Sequence, residues 1–187
     1  MSANFVPLEL PAERKVLAAW LSGDHWPFHS NLKLEREQVL KWIDGNYFDG
    51  PNNATFWITL ETEPVGLIRL FGLEDIGDGE PMFDLRIRNA FRGRGLGTQA
   101  VQWLTDHLFS KHEILGRIAG TTRVDNLAMR GAFRRCGYAK EAHYRRSWPS
   151  VESQFFDTVA YGILREDWAQ QKTTPVDWQD EAEGGSR

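Results

Sequence analysis

Six residues constrain this chain more than any others: Arg92-Gly93-Arg94-Gly95-Leu96-Gly97. Just upstream, Phe83, Leu85 and Ile87 alternate with polar neighbours, the period of a half-buried strand. Just downstream, Leu96, Ala100, Val101, Trp103, Leu104 and Leu108 recur at helical spacing. Three glycines at alternate positions between a strand and a helix let successive backbone N–H groups converge on one point, with no Cβ in the way. The partial positive charge of the helix start adds to them, so the junction predicts an anion cradle that suits a pyrophosphate. Arg92 and Arg94 bring further positive charge. A nucleoside-triphosphate loop would place Lys-Ser or Lys-Thr after the last glycine, where this chain has Thr98-Gln99. A dinucleotide fold needs Gly-x-Gly-x-x-Gly and an acidic residue closing the next strand; the spacing differs here, and Gly120-Thr121-Thr122-Arg123-Val124 contains no acid.

The surrounding pattern is mixed. Helices are expected over 11–22, over 35–43 and from Asp125, as cap, to Cys136, with Gly137 as a left-handed terminator. Strands are expected over 55–61, 65–71, 82–88 and within 114–122, and 138–148 and 155–164 read as a late antiparallel pair turning at Pro149-Ser150. This order gives one α+β (mixed α/β) domain over 1–168 with a largely antiparallel sheet, followed by a polar tail over 169–187 expected to be partly disordered.

Charge is unevenly placed. Between Arg86 and Arg146 there are thirteen Lys/Arg and four Asp/Glu, a local +9 inside a chain whose net charge is −4. A basic middle in an acidic protein fits a polyanionic ligand held at one place, and the overall acidity argues against a nucleic-acid partner. The single cysteine, Cys136, excludes a disulfide framework, and no Cys/His cluster has zinc spacing, so no metal is expected. With no leader pattern at the first residues and no long apolar run, the expectation is a cytoplasmic protein without a membrane partner.

With these motifs in view, the chain resembles the GCN5-related N-acetyltransferases. Their phosphate motif, Arg/Gln-x-x-Gly-x-Gly/Ala at a strand-to-helix junction, is matched by Arg92 to Gly97. Their second signature, Asn, six residues, then Tyr-x-x-x-Gly-Phe, is paralleled by Asn126, Phe133, Gly137 and Tyr138. Arg146-Ser147-Trp148 and Asp157 with Tyr161 to Trp168 look like the branch of ribosomal-protein alanine acetyltransferases. The resemblance implies a twisted, mostly antiparallel sheet with two central splayed parallel strands, flanked by helices. It implies acetyl-CoA as cosubstrate, bound by Leu85, Ile87, Arg92, Gly93, Arg94, Gly95, Leu96, Gly97, Thr98, Asn126, Arg130 and Phe133, with Arg130 or Arg134 near the 3′-phosphate. The reaction implied is acetyl transfer to a primary amine, a peptide N-terminus or a small amine, by direct attack in a ternary complex. A homodimer is among the assemblies it implies. A catalytically silent acyl-CoA sensor of the same fold is the alternative.

The departures matter. The family's usual acid, Tyr, is Phe133 here, and its usual Glu corresponds to Thr121. The candidates left are Asp84 as base, with Glu61 and Glu141 behind it, and Tyr144 as proton donor, with Ser147 behind it. A backbone N–H at Leu85 would polarise the thioester carbonyl. His25, Trp26, Phe28 and His29 are the candidate acceptor pocket, although Trp20, Trp26 and Trp42 serve equally well as core.

Overall fold

The computed structural model describes residues 2–74, 76–77, 81–149 and 155–178. The chain runs β1 (Asn4–Pro7), α1 (Arg14–Ser22), α2 (Arg36–Asp44), β2 (Asn53–Leu60), β3 (Glu63–Phe71), β4 (Met82–Ile87), α3 (Leu96–Lys111), β5 (Arg117–Arg123), α4 (Leu127–Arg135), β6 (Ala139–Pro149), β7 (Phe155–Leu164) and α5 (Arg165–Gln170). The strands form two sheets, β1-β2-β3-β4 and β5-β7-β6, and every pairing in both is antiparallel. The expected α+β architecture is present. The expected splay is complete, because no ladder joins β4 to β5 among the described residues and each is the edge of its own sheet.

Two hydrophobic clusters hold these layers. The larger joins Ile58, Ile68 and Leu70 of the first sheet to Leu96, Val101 and Leu104 of α3, Phe133 of α4, and Val159, Tyr161 and Ile163 of β7. The smaller packs Leu17 and Leu21 of α1 and Val39 of α2 against Trp57 and Leu67 on the other face of the first sheet. Trp20 and Trp26 belong to this second cluster, with ring centroids 5.2 Å apart. Both rings are buried. Across the seam between the sheets, Gly120 makes room for two rings: a Cβ there would stand 2.6 Å from Phe133 Cζ and 2.9 Å from Phe83 Cζ.

Several boundaries differ from expectation for physical reasons. The sequence reading contains no β1; this short edge strand of Asn4 to Pro7 is fixed by its ladder to β2 and by Phe5 stacked on Trp103 at 4.5 Å. Helix α1 begins at Arg14 instead of Pro11. Asn126, not Asp125, caps α4 by accepting the Met129 N–H at 3.2 Å; Asp125 is held by Arg123. Helix α5 follows β7 directly, with Trp168 Nε1 donating to Asp106 at 2.7 Å and Arg165 donating to the carbonyls of Leu115 and His112. Beyond it, Thr174 bonds Asp167 and Thr173 bonds the Gly137 carbonyl, which ties down the start of the tail. The end of the tail and the turn at Ser150 lie outside the described residues. Among the described residues, no helix is long and apolar enough to cross a membrane.

Candidate active site

The glycine loop has the geometry that its sequence predicts. Gly93 and Gly95 adopt φ of +76° and +79°, a left-handed conformation that a side chain disfavours, and Gly95 caps α3. A Cβ built on Gly93, Gly95 or Gly97 meets nothing within 4 Å, so the space above the loop is open. The amides of residues 93–97 have no protein acceptor among the described residues, and Thr98 and Gln99 are the first to bond back, both to the Gly95 carbonyl. Five unspent N–H groups at the start of a sixteen-residue helix are what an anion with several oxygens requires.

Beside this loop runs a gap of about 240 Å³, bounded by Leu85 and Ile87 of β4, the glycine loop, and Asn126, Ala128, Met129, Ala132 and Arg135 around α4. Arg88 N–H donates to Val65 O at 2.9 Å, on the β3 side of β4. Antiparallel alternation then turns the amides of Leu85 and Ile87 to the open edge. The edge thus offers unpaired backbone groups to an extended ligand.

A second gap, of about 380 Å³, opens on the other side, between β4, β5, α2 and the 28–31 loop. Phe28, His29, Leu85, Asn126 and Met129 border both gaps. A ligand entering from each side would meet at this shared wall.

The acetyltransferase (GNAT) domain profile matches residues 6–139, well over half of the sequence. The chain belongs to the GNAT acetyltransferase family. No curated protein sequence matches it. Among solved structures, it is similar to a probable GNAT-family acetyltransferase from Chromobacterium violaceum, at 19% identity over 90% of this chain and 86% of that one, TM-score 0.71. It is similar to a dodecameric spermidine N-acetyltransferase from Vibrio cholerae at 15% identity, covering 91% and 98%, TM-score 0.72. A third similar structure is RimL, a ribosomal L7/L12 alpha-N-protein acetyltransferase in complex with coenzyme A, at 19% identity, covering 88% and 94%, TM-score 0.68. At these identities the likeness shows the fold.

Within this GNAT frame, the structure sorts the expected site residues. Leu85, Ile87, Arg92, Gly93, Gly95, Leu96, Gly97, Thr98 and Asn126 all border the first gap. Arg92 is committed to fastening two loops, donating to Ile87 O at 3.0 Å and to His25 O at 2.8 Å. Arg94 turns back to Ala90 O and lies over the Phe91 ring. Arg130 is spent on Val124 O at 2.6 Å, and Arg134 is exposed with no place on the gap. Arg135, which the sequence reading passed over, borders the gap and donates to Thr98 Oγ1. Its signal was present, since Ala128, Ala132 and Arg135 fall on one helical stripe. Phe133 does not border either gap; it is fully buried and stacks on Tyr161 at 4.9 Å.

The acid–base candidates separate in the same way. Asp84 borders the second gap, where Oδ1 is 2.8 Å from His29 Nε2 and Oδ2 accepts from Arg86 Nε at 3.0 Å. Burial alone would raise its pKa, but the Arg86 guanidinium, then His29, outweigh that and hold the carboxyl well below the usual carboxylate range. A carboxylate so stabilised is a weak proton acceptor, which counts against Asp84 as the base. His29 Nδ1 is buried and has no partner among the described residues, and a proton on Nε2 facing Asp84 would leave Nδ1 as the acceptor. Glu61 sits exposed on the β2–β3 turn, and Glu141 pairs with Arg117. Tyr144 is half exposed on β6, and neither it nor Ser147 borders either gap. Thr121, at the place of the missing Glu, borders the second gap. Of the aromatic loop, Phe28 and His29 border both gaps, the buried Trp26 backs the first, and exposed His25 contributes its carbonyl to Arg92. Cys136 is packed behind Thr98, and burial pushes its thiol up to about 11, which leaves it unreactive.

Proposed function

We propose that this GNAT protein transfers the acetyl group of acetyl-CoA to a primary amine by direct attack in a ternary complex. The observation that carries the reading is the shared wall of Phe28, His29, Leu85, Asn126 and Met129, met from one side by a gap beside an anion cradle and from the other by a separate gap. The donor's pyrophosphate would rest on the amides of residues 93–97, with Arg135 near its phosphates and the open β4 edge beside its amide-bearing arm.

The reaction forms an N–C bond and breaks a C–S bond. An amine of pKa about 8 to 10.4 arrives protonated and must lose a proton before it attacks. His29 Nδ1 takes that proton, while Asp84 fixes the ring and stabilises the imidazolium that results. The Leu85 N–H, unpaired on the β4 edge, stabilises the oxyanion. The departing thiolate has a conjugate acid of pKa about 8.5, so it leaves without a strong acid and takes its proton from solvent. That chemistry accommodates Phe133 in place of the family's tyrosine.

The test is free-thiol release from acetyl-CoA over a broad panel of amines, beside calorimetric titration with coenzyme A. Tight binding together with acetylation of one class of amine supports the reading. Tight binding with no amine acetylated identifies a silent acyl-CoA sensor, and absence of binding removes the cradle assignment.

A further inference from the structure

We propose that the acceptor taken by the second gap is a small amine that also carries a carboxylate, an amino-acid-type zwitterion. This rests on the acetyl-transfer reading above and specifies its acceptor. The argument begins with charge. Arg69 on β3 and Arg86 on β4 both border the gap, and each is only 8% exposed. The β3–β4 register sets Arg69 opposite Asp84, so two guanidiniums flank one carboxylate. Among the described residues bordering the gap, Asp84 is the only acidic one. It is already committed, with Oδ2 to Arg86 Nε and Nη2 and Oδ1 to His29.

Arg69 therefore carries a buried positive charge with no carboxylate within ion-pair distance among the described residues. Its Nε and Nη2 bond neutral oxygens, Tyr47 O at 2.5 Å and Asn53 Oδ1 at 2.8 Å, and its Nη1 has no protein acceptor among them. Arg86 Nη1 is buried without a partner among the described residues. Arg69 is stacked between the Tyr47 and Phe71 rings at 3.5 and 4.3 Å. Yet two guanidiniums share the one carboxylate of Asp84, and a ligand carboxylate is the group that would balance the charge left over. A polyamine asks for the reverse, a surplus of acids over bases. The aromatic part of the lining is Phe28, Trp42, Tyr47, Phe71, Phe83 and Trp148, and the remainder mixes aliphatic and small polar side chains. At about 380 Å³ the gap lies near the small end of ligand pockets, which run from about 300 to 1,000 Å³, and suits a single amino-acid-sized body with an apolar side chain. With the carboxylate toward Arg69, the amine is left for the shared wall at His29.

A matched substrate series tests this without altering the protein. Phenylalanine, phenylalaninamide and 2-phenylethylamine, the leucine counterparts of these, spermidine and a serine-initiated tetrapeptide are each assayed for thiol release from acetyl-CoA. The expected result is turnover of a free amino acid, with a drop of at least about tenfold in kcat/KM, mostly through KM, when its carboxylate is amidated or removed. Arg69→Gln should bring the amino acid down to the level of its amide while coenzyme A affinity holds, and Arg69→Lys should recover part of the difference. Spermidine or the peptide outperforming every free amino acid, or indifference to the carboxylate, overturns the acceptor class and leaves acetyl transfer standing. Coenzyme A bound with no amine acetylated in any arm overturns both.

Discussion

His29 Nε2 and Asp84 Oδ1 lie 2.8 Å apart, joining a loop that precedes α2 to a strand fifty-five residues later. The contact does two things at once. It pins the loop to the wall shared by both gaps, and a proton on Nε2 would leave Nδ1 as an acceptor. In the proposed mechanism the carboxylate orients the ring that takes the proton.

Replacing His29 tests that division. His29→Ala is expected to lower kcat by about a hundredfold or more while coenzyme A affinity stays within twofold, because general-base contributions are of that order. An unchanged kcat would assign proton removal to another group.

Asp84→Asn probes stability as well as rate. The folded-state pKa of Asp84 is depressed, so its contribution is complete above the unfolded value near 3.9 and is lost as pH falls below that. The variant leaves the Arg86 charge buried and unbalanced, which is expected to destabilise by about 3 kcal/mol at pH 7. Urea melts at pH 7 and pH 3 check the sign: the difference from wild type should shrink in acid.

Gly97→Glu is the clean test of the cradle. Gly97 is outside the left-handed region and its missing Cβ faces open space, so the fold should tolerate a side chain. The new carboxylate would occupy and charge the anion site, and coenzyme A affinity should fall by at least a factor of about one hundred, or 2.7 kcal/mol. Retained affinity would place the pyrophosphate elsewhere.

Two further variants test one residue on the first gap and one outside both gaps. Arg135→Ala should weaken coenzyme A binding by about tenfold with little change in melting temperature, as expected for an exposed cation near phosphates. Tyr144→Phe, on the outer hairpin, should leave kcat unchanged. A large loss of rate in Tyr144→Phe would bring β6 into the chemistry.

Much of this was legible in the residues. The alternation at Phe83, Leu85 and Ile87 and the glycines that follow define a strand, a glycine turn and a helix, and all three form where expected. What escaped depends on contacts far apart in sequence. Edge strand β1 has little local propensity and exists through its ladder to β2. The fate of Asp84 was decided by Arg86, two residues away on the same strand, and by His29 from a distant loop. Trp20, Trp26 and Trp42 look alike in sequence. The first two became core, while Trp42 stacks on Tyr47 at 5.1 Å and borders the second gap.

The unladdered border between β4 and β5 has a consequence for how the protein responds to its donor. The backbone groups of Leu85 and Ile87 that face it have no strand to answer them, so in the free protein they should trade hydrogen for deuterium quickly. A pantetheine chain laid along that border would act as a missing rung, stitching one half of the molecule to the other. Slowed exchange at those two amides, together with a rise in melting temperature, would be the mark of a fold that is finished by its own substrate.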